Sequence, residues 1–227
     1  MEGHTIICGF GRNGRQAYEK LKKFNITCVV IEKEETILDG IIDPNLTIIK
    51  GDATNDEILQ NAGIEKASHL IAASSSDANN VYIVLSARQI NPKLNIVSRS
   101  SSDQSVEKLK IAGANNVIMP DRLGGEHMAS LLVTPDLVKF VDRLSAEGEN
   151  NAFLEEISVE ELPNEYMMKS ISDLDVRRNS GCNVIGFITQ KDEYIVNPSS
   201  KTILEPHCKL IVLGRPEQIK KFKEVYE

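Results

Sequence analysis

Gly9, Gly11 and Gly14 stand at the spacing G-x-G-x-x-G, directly after the apolar run Ile6-Ile7-Cys8 and at the start of an amphipathic segment. A strand, a tight turn and a helix start in that order form the element that holds the pyrophosphate of a dinucleotide. Gly9 permits the turn, Gly11 lets the backbone approach the phosphates, and Gly14 lets the helix pack against the strand. The unpaired N–H groups of the helix start, with their partial positive charge, face the anion. Phe10, Arg12 and Asn13 complete the loop, and a guanidinium at Arg12 can make bidentate phosphate contacts. The next apolar run, Thr27-Cys28-Val29-Val30-Ile31, ends in Glu32 and Lys33. An acid at that place accepts hydrogen bonds from ribose hydroxyls and repels a 2′-phosphate. The expected ligand is therefore NAD or an adenine nucleotide (AMP, ADP or ATP) rather than NADP.

The elements that must hold these residues follow from periodicity. Apolar runs at 46–49, 69–73, 95–98 and 117–119 read as further strands, separated by helical segments at 34–42, 55–62, from Asp77, and at 103–112. Asp77 is suited to cap its helix, whose apolar spacing runs through Val81, Leu85 and Arg88. This alternation predicts an α/β fold: a Rossmann-like, doubly wound parallel sheet flanked by helices. Ligands in such sheets lie beyond the carboxyl ends of the strands. That rule gathers Asp52, Ala53 and Thr54, then Ala73, Ser74 and Ser75, and finally Arg99, into one crevice with the glycine loop. The pattern changes near Pro120. Two helices follow, 121–132 and from Thr134-Pro135 to about Leu144, with Thr134 as cap and Pro135 as first helical residue. Residues 146–151 are polar and read as a linker. Beyond them, strands at 153–159, 182–189, 193–196 and 208–213, a short helix at 170–177 and a terminal helix carrying Ile219, Phe222 and Val225 describe a small α+β lobe. The expected organisation is a nucleotide-binding lobe at 1–120, a helical crossover at 121–145 and a C-terminal lobe at 152–227.

Composition narrows the function classes. Across 227 residues, 41% are hydrophobic and 26% charged, as in an ordinary globular protein with a sizeable core. A net charge of −7 argues against nucleic acid or an anionic membrane as main partner. No apolar run is long enough to cross a bilayer, so direct membrane insertion is not expected and the chain reads as cytoplasmic. Cys8, Cys28, Cys182 and Cys208 lie in or beside apolar runs without metal-ligand spacing, which suits buried, reduced thiols. No metal site is expected.

The chain as a whole resembles the RCK (regulator of potassium conductance) module of prokaryotic potassium channels and transporters, built from a TrkA-N and a TrkA-C lobe. The stretches that carry this are Gly9-Phe10-Gly11-Arg12-Asn13-Gly14-Arg15, Gly51-Asp52-Ala53-Thr54, Asp77-Ala78-Asn79-Asn80-Val81-Tyr82, Leu109-Lys110-Ile111-Ala112-Gly113-Ala114-Asn115 and Val117-Ile118-Met119-Pro120. Ile195-Val196-Asn197-Pro198 through Leu210-Ile211-Val212-Leu213-Gly214 continue it, and Gly124-Gly125 with Met128-Ala129 and Pro135 resembles the helical crossover. The resemblance implies a regulatory homodimer that assembles into an octameric ring coupled to a potassium pore or transporter membrane subunit. On this chain it would place phosphates on Gly9 to Gly14 with Arg12, the ribose on Glu32, and adenine between Asp52 and Ala53. Ser74, Ser75 and Arg99 would lie on the far side. Calcium-gated relatives carry carboxylates after the fourth and fifth strands; here those places hold serines and Arg99, which opposes a calcium site of that type.

Other functions remain to be weighed. An NAD-dependent oxidoreductase needs an acid–base group beside the nicotinamide. His4 and His69 fall at the opposite end of their strands, His127 on the crossover and His207 in the small lobe, and no Tyr-x-x-x-Lys pair occurs. No catalytic residue is expected. The first strand lies close to Met1, which fits either the cytoplasmic part of an inner-membrane channel or a free-standing transporter subunit. The 77–82 segment and the crossover favour the channel.

Overall fold

The computed structural model describes residues 2–38, 43, 46–145 and 153–226. Contacts divide the chain into two compact units, 1–128 and 129–227.

In the first unit, strands β1 (Thr5–Cys8), β2 (Cys28–Glu32), β3 (Thr47–Lys50), β4 (His69–Ala72), β5 (Asn95–Arg99) and β6 (Asn116–Ile118) form one sheet in the order β3-β2-β1-β4-β5-β6. Every pairing is parallel, with Ile7 of β1 beside Val30 on one side and Ile71 on the other. This is the doubly wound order whose reversal lies between β1 and β4. Helices α1 (Arg12–Lys23), α2 (Glu35–Leu38), α3 (Asp56–Asn61), α4 (Asp77–Ile90) and α5 (Asp103–Ile111) make the crossovers, and α6 (Pro120–Val133) follows β6. Both faces of β1 and β2 are buried, so their sequences are apolar without interruption. Ile6, Cys8, Val29 and Ile31 face a core that includes Leu59, Val84 and Leu109; Ile7, Cys28 and Val30 face a smaller one with Phe10 and Tyr18.

Most predicted strands agree with the structure to within a residue; several helical details differ. Of the helix expected at 34–42, Glu35–Leu38 is seen and 39–42 lie outside the described residues. The cap of α4 is Ser76, whose hydroxyl accepts from the Asn79 N–H. Asp77 instead accepts from the Ser101 N–H on the loop after β5. The buried face of α4 is Asn80, Ile83, Val84 and Ala87, one step round from the expected one. Leu85 is exposed, and Arg88 spends its guanidinium on the Gly113 and Pro92 carbonyls.

In the second unit, α7 (Pro135–Ser145) begins at the expected proline. Thr134 stands at its start, its carbonyl accepting the Val138 N–H, while its hydroxyl donates back to the Ser130 carbonyl. The expected linker at 146–151 lies outside the described residues. Strands β7 (Phe153–Ser158), β8 (Asn183–Ile188), β9 (Tyr194–Val196) and β10 (Lys209–Gly214) pair antiparallel in the order β7-β10-β8-β9. The single short helix predicted at 170–177 is two, α8 (Ile171–Leu174) and α9 (Val176–Ser180), because Asp175 takes a left-handed φ of 46° between them. Helix α10 (Pro216–Tyr226) lays Ile219, Phe222 and Tyr226 on the core, while Val225 is exposed. The Tyr226 hydroxyl donates to the Leu174 carbonyl and accepts from Asn179 Nδ2, which gives the aromatic ring a reason to enter.

Candidate functional site

Where the strand order reverses, the carboxyl ends of β1, β2, β4 and β5 surround a crevice of about 740 Å³. Each glycine of the loop meets a different constraint. Gly9 has φ +94°, and a Cβ there would lie 3.0 Å from the Ser74 nitrogen. A Cβ on Gly14 would enter well within contact distance of the Gly9 carbonyl, so the glycine is what allows α1 to sit against the turn. Gly11 is the N-cap of α1 with an ordinary φ of −65°, and a Cβ there meets nothing within 4 Å. That open space is the approach to the first turn of α1, which carries no acidic residue and no side-chain cap. Its free N–H groups suit an anion.

Glu32 closes the near side. Its carboxylate is buried and accepts three backbone N–H groups: Phe10 at 2.6 Å, Lys33 at 2.7 Å and Glu34 at 2.9 Å. A carboxylate has about four lone-pair sites, so acceptor capacity remains while the glycine loop is tied to the end of β2. Phe10 contributes through that N–H alone. Its ring is turned into the smaller core, edge-on to Tyr18 at 5.8 Å, and does not line the crevice; neither does Gly14. Asp52 is pushed down to about 2, first by the Lys33 ammonium at 2.8 Å and then by the Thr54 hydroxyl at 2.7 Å and amide at 3.0 Å. The Lys33–Asp52 pair bridges the ends of β2 and β3.

The far wall is built by a residue the sequence reading did not select. Asn80 is fully buried; its Oδ1 accepts the Ser74 N–H at 3.0 Å, and its Nδ2 donates to the carbonyls of Ser74 at 3.0 Å and Arg99 at 3.2 Å. An amide in the otherwise apolar stripe Asn80, Ile83, Val84, Ala87 was the available signal. The structure brings Gly9, Gly11, Arg12, Asn13, Glu32, Lys33, Asp52, Ala53, Thr54, Ala73, Ser74, Ser75 and Arg99 together around the crevice. Asn79, Pro120 and Asp121, not expected there, extend it to the start of α6.

None of the described residues lining the crevice is a histidine or tyrosine. His4 is buried at the other end of the sheet, its Nε2 donating to the Ala62 carbonyl at 2.8 Å. All four cysteines are free and buried, and burial raises the thiol pKa at Cys8 and, to about 11, at Cys28. Such thiols are poor nucleophiles and poor redox sensors at neutral pH. Among the described residues no helix is long and apolar enough to cross a membrane.

Comparison with known proteins gives two family matches: the TrkA-N domain over residues 5–120 and the TrkA-C domain over residues 154–226. Potassium channel protein 1 of Methanocaldococcus jannaschii is 36% identical over 230 residues, covering all of this chain, which in turn spans 68% of that protein. The crystal structure of the TrkA-N domain of the inner membrane protein ybaL from Escherichia coli is 35% identical, with a TM-score of 0.55 over 58% of this chain and 98% of that one. A structure described as the GsuK channel bound to NAD shares the fold at 24% identity, TM-score 0.54, over 99% of this chain and 38% of that one.

Proposed function

Since this chain belongs to the TrkA-N/TrkA-C family of RCK modules, we propose that it is the nucleotide-binding regulatory part of a potassium channel. In this reading the crevice at the strand reversal binds NAD or an adenine nucleotide. Phosphates rest on Gly9 to Gly14 with Arg12, the ribose on Glu32, and adenine beside Asp52 and Ala53. The module acts from the cytoplasmic side of an inner membrane, as a homodimer within an octameric ring, and passes ligand occupancy to a potassium pore. The observation that carries the proposal is the pairing of the open α1 N-terminus at Gly11 with a buried acid at the end of the next strand. This is the arrangement that dinucleotide-binding sheets use. The channel name of the M. jannaschii relative supports the coupling to potassium, and the NAD in the GsuK structure supports the ligand class. A crevice without a histidine or tyrosine, whose lysine is held by Asp52, supports regulation over hydride chemistry.

Isothermal titration with NADH, NADPH, AMP, ADP and ATP tests the site. NADH is expected to bind more tightly than NADPH, because the Glu32 carboxylate opposes a 2′-phosphate. The reverse order would remove Glu32 from its assigned role. Turnover of NADH with small carbonyl compounds would reopen the oxidoreductase reading.

A further inference from the structure

We draw no further inference here: the strongest candidate, the groove of about 600 Å³ lined by Val29 of β2, Ile49 of β3 and Ala62 at the end of α3, carries nothing because every polar side chain along it is exposed and nothing in the structure shows what covers it.

Discussion

At the scale of single residues, the three glycines of one motif answer to different forces and should fail differently. Gly11 has open space where its Cβ would be and a φ any residue adopts. Gly11→Val should therefore leave the protein folded by circular dichroism while a branched side chain fills the approach to the α1 N-terminus, so that nucleotide affinity collapses. Gly14→Ala would push a methyl group onto the Gly9 carbonyl, which is backbone and cannot swing aside. Overpacking of that kind costs about 1–3 kcal/mol, and it should appear as a lower denaturant midpoint even without ligand. Unchanged affinity in folded Gly11→Val would mean that the ligand binds elsewhere. Glu32 illustrates a subtler point: the acid was legible from its place at the end of an apolar run, but its ties to the Phe10, Lys33 and Glu34 amides were not.

At the scale of elements, helix faces separate what sequence spacing approximates from what packing fixes. Ile219, Phe222 and Val225 are spaced at i, i+3 and i+6, yet the core receives Tyr226 in place of Val225. The shift by one residue is decided by Tyr166 and Phe222, which pack against the Tyr226 ring at 5.6 and 4.6 Å, and by the two hydrogen bonds to its hydroxyl. Phe222→Ala should cost about 3–5 kcal/mol as a core truncation, whereas Val225→Ala should stay within about 0.5 kcal/mol. Urea denaturation of both variants checks this, and equal effects would contradict the assigned face. Helix α4 shows the same slip. Its stripe passes through Asn80, and reading an amide as polar surface turns the helix by one position.

At the scale of the whole molecule, α6 and α7 expose large apolar side chains: Leu123, Met128, Leu132, Leu137 and Phe140 are each more than half exposed. α6 has no buried residue at all. Large apolar side chains exposed along two successive helices are characteristic of surface that another subunit covers. Light scattering should give at least a dimer, and Phe140→Asp should weaken it by placing an unpaired charge in the interface. A monomer at micromolar concentration, insensitive to nucleotide, would count against the regulatory reading. The crevice reaches Pro120 and Asp121 at the start of α6. Any ligand effect on assembly through that helix is limited to the difference in affinity between its arrangements.

The order of short apolar runs and helical segments, with glycines at fixed offsets, determined the parallel sheet, its strand boundaries and the near side of the crevice. These features are local: the period of burial and the φ each turn needs are written in neighbouring residues. On the far side, Ala73, Ser74, Ser75 and Arg99 followed from the same strand-end rule, but the Asn80 amide that ties Ser74 to Arg99, and the reach to Pro120 and Asp121, did not. Asn80 and Arg99 are 19 residues apart, and Pro120 and Asp121 are farther still. Their meeting depends on where β4 and β5 diverge and on how α4 lies over the gap. Only tertiary packing decides those distances, because the hydrogen bonds that close the wall join groups whose separation in the chain carries no period.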